Sequence, residues 1–226
     1  MTQVVPSRLA SRVEVHRPNH QTLQRHFMRS TTNSPVVSIA YHSGYGHTVV
    51  LAEAVRDGAA QAGAVAHLIR VDEITEEQWS ILDASDAIIF GSPTYMGTAS
   101  GAFHAFAETT SKRFLSGAWR DKLAAGFTNS GSKSGDKLHT LQFFTVLAAQ
   151  LGMLWVGLDL PPGWNTSQAS ENDLNRLGFS LGAAAQSPAD LGPDAVHKAD
   201  IATAEHLGRR VAHIAATFAA GQAAAA

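Results

Sequence analysis

The sequence predicts an α/β protein: a doubly wound, five-stranded parallel sheet with helices on both faces. Three observations lead there. Short apolar segments alternate with segments of helical period along residues 35–221. The first segment is apolar almost without a break, as a strand covered on both faces must be. Loops rich in glycine and hydroxyl side chains follow the first, third and fourth strands, at the sheet edge where such folds bind ligands.

Val36–Tyr41 reads as the first strand, and His47 to Ala62 as a helix with Val50, Leu51, Ala54, Val55 and Gly58 on one side. Gly63 stops that helix. Val65 to Val71 is the second strand, and Thr75-Glu-Glu-Gln78 has the form of a capping box opening the next helix. Asp86 to Gly91 is the third strand, followed by a helix over 98–113 with Phe103 and Phe106 inward. Leu123 to Thr128 is the fourth, followed by a helix over 136–151 that places Leu138, Leu141, Phe144, Leu147 and Leu151 inward. Met153 to Leu158 is the fifth strand, and a loop of about thirty residues follows it. Ala199 to Phe218 closes the domain as a helix, with Leu207, Val211, Ile214 and Phe218 on its inner stripe. Helices between successive strands imply right-handed crossovers.

Composition narrows the function. With 45% hydrophobic and 16% charged residues among 226, the chain supports a packed core and is not disordered. No run of 18 apolar residues suggests a membrane span. A net charge of -2 argues against a partner recognised through nucleic-acid phosphates. The absence of cysteine excludes disulfides, thiolate metal sites and a Cys nucleophile, so redox chemistry requires a bound cofactor. These features fit a cytoplasmic protein. Residues 1–34 form a basic arm, with Arg8, Arg12, Arg17, Arg25 and Arg29 against Glu14, readable as a flexible arm, an oligomer contact or a transit peptide. Residues 35–221 form the domain, and 222–226 an Ala-rich tail.

The first loop is Ser43-Gly44-Tyr45-Gly46-His47-Thr48. Gly44 and Gly46 let successive N–H groups point into a concavity, and the following helix adds free amides and its positive end. Ser43 and Thr48 add hydroxyls. This is a phosphate cradle built of neutral donors. A Walker loop needs a lysine that is missing here. A dinucleotide fingerprint needs a third glycine where Val49 stands, although Asp72 could serve a ribose. A mononucleotide phosphate fits without correction. The second loop, Gly91-Ser92-Pro93-Thr94-Tyr95-Met96-Gly97, can offer backbone donors to the edge of a flat ring and cover its face with Tyr95 and Met96. The third, Thr128-Asn129-Ser130-Gly131-Ser132-Lys133-Ser134-Gly135, is small, polar and rich in donors, suited to ribityl hydroxyls and pyrimidine carbonyls.

Ser43–Thr48, Gly91–Gly97 and the segment Leu123-Ala-Ala-Gly-Phe-Thr-Asn-Ser-Gly-Ser132 together resemble the WrbA-type flavoproteins, flavodoxin-like NAD(P)H:quinone oxidoreductases related to the NADPH-dependent FMN reductases. The likeness runs from Val36 to about Gly157. It implies a flavodoxin-like fold, FMN as cofactor and NAD(P)H as reductant. Ser43 to Thr48 would hold the FMN phosphate, with Pro93, Thr94, Tyr95, Met96 and Gly97 along the isoalloxazine. Thr128, Asn129, Ser130, Gly131, Ser132, Lys133 and Ser134 would bind the ribityl chain and ring edge, and Tyr45 would neighbour the nicotinamide. The family usually has Trp at Phe114, a wall of the substrate pocket, and a His pair where this chain reads Ala149-Gln150-Leu151-Gly152. The resemblance also implies a homo-oligomer, a dimer or homotetramer.

Other constellations are weaker. The His16 and His20 pair lacks nearby acids, and His42 and His47 flank the first loop, so no metal site is expected. No G-x-S-x-G elbow occurs. Tyr41, Tyr45 and Phe114 suit core or flavin packing better than base stacking. Trp164, in Pro161-Pro-Gly-Trp-Asn165, is expected at the rim of the flavin site or a subunit contact, and joins Tyr45 and Phe114 as a substrate-binding candidate. The expected function is transfer of reducing equivalents from NAD(P)H to quinones or flavin, by a ping-pong hydride mechanism at flavin N5. The alternative is an FMN-binding electron-transfer or regulatory module without NAD(P)H activity of its own.

Overall fold

A computed structural model describes residues 34–225; the basic arm up to residue 33, with its His16 and His20, and Ala226 lie outside the described residues. β1 (Val36–Tyr41) sends Val37, Ile39 and Tyr41 to one side of the sheet and Ala40 to the other, and all are buried. This is why its sequence is apolar without alternation. β1 lies parallel between β2 (Val65–Arg70) and β3 (Ala87–Tyr95), and β3 pairs parallel with β5 (Leu123–Ser130). With β6 at Leu154–Trp155, the strand order β2-β1-β3-β5-β6 matches the predicted double winding. α1 (His47–Gln61) and α6 (Lys198–Ala225) cover one face. α2 (Glu76–Ala84), α3 (Gly101–Thr109) and α5 (Lys137–Gln150) cover the other. The capping box at α2 forms as expected, with Thr75 Oγ1 accepting from Gln78 N–H at 3.3 Å and Gln78 Oε1 accepting from Thr75 N–H at 3.0 Å. Gly63 follows α1 at φ +85°, and Phe103 and Phe106 point inward.

The predicted helix over 98–113 is corrected. β3 runs on to Tyr95, turns back through Met96 and Gly97 at φ +49° and +86°, and pairs with β4 (Thr98–Ala99). Two successive left-handed residues make a tight hairpin turn, which draws Thr98 and Ala99 into pairing with β3 and delays the helix to Gly101. Ser92 Oγ accepts from Ser100 N–H at 2.9 Å and closes the hairpin, and Ser100 Oγ then caps α3. α3 gives way to the short α4 (Ser111–Ser116) where the Thr109 and Thr110 hydroxyls bond to carbonyls three residues back. Leu138, predicted inward, is exposed, because Lys137, Thr140 and Leu141 occupy the inner side of the first turn of α5.

The fifth strand is also corrected. Only β6 (Leu154–Trp155) of Met153–Leu158 pairs with β5, at Leu123 and Ala124. The chain then leaves the sheet and returns as β7 (Ala183–Gln186), which pairs with β5 higher up, at Phe127 to Ser130. The fifth position is thus two pieces of strand, and the expected thirty-residue loop contains one of them. A Cβ on Gly182 would lie 2.1 Å from Gly126 O, so glycine is required where the chain rejoins the sheet. The excursion is anchored by a buried bidentate pair, Arg176 to Asp200, at 2.8 Å on both arms. Asp200 also accepts from the Gln186 N–H at 3.0 Å, tying the excursion to both β7 and α6.

α1 and α6 approach each other through glycines on both helices. A Cβ on Gly58 would sit 1.9 Å from Glu205 O, and one on Gly208 would sit 1.9 Å from Val55 O. Both carbonyls belong to backbone, so neither can swing aside. Gly208→Ala is expected to destabilise the fold by at least about 2 kcal/mol, measured by urea unfolding. A loss below about 0.5 kcal/mol would contradict this account of the crossing.

Candidate functional site

β1 ends at Tyr41, where the His42 N–H donates to Gly91 O at 2.9 Å, while β3 runs on beside the released loop to Tyr95. Gly46 is the N-cap of α1 at φ +87°, a left-handed conformation that favours glycine. Ser43 Oγ accepts from Val49 N–H at 3.2 Å, which folds the loop around the helix end. The N–H groups of Gly44, Tyr45 and Gly46 have no acceptor among the described residues. They stand at the positive end of a 15-residue helix with no acid in its first turn. Gly44 is held close: a Cβ there would lie 2.7 Å from Tyr95 Oη. Thr48 is buried, and His47 Nε2 lies 2.9 Å from Leu191 O.

The second loop splits into a buried and an exposed half. Pro93 and Thr94 are buried in β3, with Pro93 in register with Asn129 of β5. Thr94 Oγ1 is 2.8 Å from Thr128 Oγ1 and 2.7 Å from Thr140 Oγ1, a hydroxyl network linking β3, β5 and α5. Tyr95 and Met96 project outward, Met96 fully exposed, and Gly97 O is held 2.7 Å from His139 Nδ1. Tyr45, 78% exposed, meets Tyr95 edge-on with ring centroids 6.1 Å apart. Burial pushes the Tyr95 phenol above its usual range, and the Tyr45 phenol beside it adds to the rise.

In the third loop Asn129 is buried and its Nδ2 donates to Ser187 Oγ at 2.8 Å. That leaves Asn129 Oδ1 buried with no hydrogen-bond partner among the described residues, an acceptor open to a further donor. Gly131, Ser132, Lys133 and Ser134 are exposed, whereas Ser130 is half-buried. Beneath them Lys137 is fully buried, its Nζ donating to Ser130 Oγ at 2.7 Å, to Lys133 O at 3.2 Å and to Ser132 O.

The structure therefore gathers all three loops at one sheet edge. Trp164 also reaches them: Lys133 Nζ stands 4.8 Å over its ring, beside a cavity of about 370 Å³ lined by Leu160, Pro161, Trp164 and Leu174. Phe114 lies exposed on α4, without a ring or hydrogen-bond contact to the three loops among the described residues. Sequence reasoning missed Lys137, Ser187 and the segment after β7. That segment covers the cradle, since a Cβ on Gly46 would lie 2.7 Å from Pro193 Cγ. It also flanks the third loop, with Ser187 N–H donating to Ser130 O at 3.3 Å. No local signal marked it, because its place follows from the strand that returns to the sheet.

Free amides at a helix end, an exposed aromatic pair and an orphaned buried acceptor suit a phosphate-bearing planar heterocycle. The residues present fit FMN. Comparison with known proteins agrees. Residues 69–160 match the family model of the NADPH-dependent FMN reductases. Flavodoxin FldP of Pseudomonas aeruginosa is 42% identical over 179 residues, covering 78% of this chain and 94% of that protein. An NAD(P)H dehydrogenase (quinone) of Geotalea uraniireducens is 30% identical over 205 residues, covering 81% of this chain and 98% of the relative. Among solved structures, the flavodoxin, WrbA-like protein from Agrobacterium tumefaciens is 40% identical with a TM-score of 0.65, covering 80% of this chain and 98% of that one. With the fold, the family match and these relatives in agreement, the chain belongs to the WrbA-type flavodoxin-like NAD(P)H:quinone oxidoreductase family, whose cofactor is FMN.

Proposed function

We propose that this protein transfers reducing equivalents from NAD(P)H to a quinone or a flavin, with FMN seated across the three loops. The observation that carries the reading is the run of amides at Gly44, Tyr45 and Gly46 that lack an acceptor at the N-terminus of α1. A phosphate dianion satisfies them and meets the helix dipole; each such exposed interaction contributes about 0.3–1 kcal/mol, so several converging donors are needed. Ser43, His47 and Thr48 complete the cradle, and Pro193 closes it from above. FMN held in this cradle would supply the hydride chemistry, at its N5, by which NAD(P)H and the acceptor would be served in turn in a ping-pong sequence.

The chain's own work is orientation. Pro93 and Thr94 are held by the hydroxyl network and the register with β5, which gives Tyr95, Met96 and Gly97 a fixed base. Tyr45 and Tyr95 form an aromatic wall on which nicotinamide and quinone would stack in turn. Thr128 and Asn129 would hold the ribityl chain from β5, Asn129 Oδ1 accepting from the cofactor, and Ser130 to Ser134 would bind the ring edge. Trp164, under Lys133, would form the far rim of the acceptor site; a place for Phe114 as its wall rests on the family resemblance.

A second reading is an FMN electron carrier without nicotinamide activity, favoured by the name flavodoxin carried by the 42% identical relative. Steady-state oxidation of NADH or NADPH with benzoquinone separates the two. Catalytic turnover supports the oxidoreductase, and FMN-loaded protein without turnover supports the carrier.

Gly46→Asp places a carboxylate and a Cβ against Pro193 in the cradle, and is expected to abolish FMN retention as read from flavin absorbance after purification. A yellow, fully active variant would contradict the phosphate assignment. Trp164→Ala is expected to lower quinone turnover or change the oligomer size seen by gel filtration. Kinetics and size both equal to the parent's would remove Trp164 from the site.

A further inference from the structure

Lys137 is the one group beneath the third loop whose chemistry the proposed function leaves unused. It is fully buried at the first turn of α5. Gly135 and Asp136, both at φ +54°, turn the chain sharply so that this side chain lies back under its own loop. Its three hydrogen-bonding acceptors are all neutral oxygens: Ser130 Oγ, Ser132 O and Lys133 O. Among the described residues no carboxylate lies within ion-pair distance of it; the nearby Asp200 is bonded to Arg176 in a bidentate pair. A buried ammonium without a counter-ion is costly.

The bonds it makes have a directional consequence. The peptide unit is planar and trans, so a carbonyl turned toward Nζ puts the next N–H on the opposite side. Ser132 O and Lys133 O turn inward, and the N–H groups of Lys133 and Ser134 therefore face outward. Neither N–H has an acceptor among the described residues. The loop thus presents donors to the ligand side, with a positive charge directly behind them. Such an arrangement is a nest for negative charge.

We propose that Lys137 is a positioning residue that favours the reduced form of the cofactor: its ammonium aims the amides of the third loop at the bound ring, and its charge offsets the negative charge acquired on reduction. The inference rests on the FMN reading above. A hydride passed from NAD(P)H carries two electrons and one proton, so NAD(P)+ leaves and the bound cofactor gains one unit of negative charge unless a further proton follows. The missing counter-ion then arrives with the electrons. Burial pushes the Lys137 ammonium down to about 8, Asp200 opposing the shift and Arg176 adding to it. A new negative charge nearby would relieve that penalty.

The test compares the two-electron midpoint potential of FMN-loaded wild type with Lys137→Met and Lys137→Gln, together with the affinity for oxidised FMN. The Gln variant keeps a hydrogen-bond donor and loses the charge. A strut that only supports the loop would weaken both redox forms alike. The expected result is that both variants retain oxidised FMN but bind the reduced form about tenfold less tightly relative to it, a midpoint about 30 mV lower. If Met fails to fold, the Gln variant carries the comparison. Potentials equal to wild type overturn the inference, as does failure of both variants to fold or bind oxidised FMN, which would make Lys137 a folding element alone. Wild type that binds no FMN would show instead that the parent reading has failed, and the inference with it.

Discussion

Peptide N–H groups that find no acceptor among the described residues govern this site. In a parallel sheet every strand delivers its chain to the start of a helix at the same edge, so orphan amides collect there. At β1 the left-handed Gly46 turns those of Gly44, Tyr45 and Gly46 away from the helix ladder and toward a ligand. The chain supplies no acid in the first turn of α1 to take their place. A neutral cradle of this kind holds an anion by geometry and by the helix dipole, without a lysine or arginine.

The remainder of the architecture sets the height and closure of that cradle. The split fifth position matters most. Because β7 rejoins β5 beside Phe127 to Ser130, the chain that follows it is delivered to the ligand edge of the sheet. Ser187 there binds Asn129, Leu191 O meets His47, and Pro193 covers Gly46. One segment therefore touches the first and third loops together. Its position depends in turn on the buried pair of Arg176 and Asp200, which fixes β7 against α6. Packing far from the cofactor thus decides the shape of the cradle.

Much of this was legible in the sequence, and the exceptions share a cause. β1 and the capping box at Thr75 announced themselves through local composition, and the three loops through glycine and hydroxyl content. β7 did not, because Ala183-Ala-Ala-Gln186 favours a helix as readily as a strand, and its partner lies more than fifty residues earlier. β4 was hidden because its two residues, Thr98 and Ala99, stand at the start of the helical period that follows them. The bond between the Thr94 and Thr128 hydroxyls is set by strand register, which local composition does not carry. Lys137 reads as a surface lysine until the two left-handed residues before it fold it inward. Local signals carried what local chemistry decides; pairings across the sheet had to be seen.

The account stands on recognition of a phosphate by the cradle at the start of α1, and calorimetric titration of the apoprotein with FMN and with riboflavin tests it most directly. The two ligands share the ring and ribityl chain and differ in the phosphate alone. Several converging amides at about 0.3–1 kcal/mol each predict that FMN binds roughly a hundredfold more tightly than riboflavin. Equal affinities would mean that the phosphate lies elsewhere, and would contradict the account.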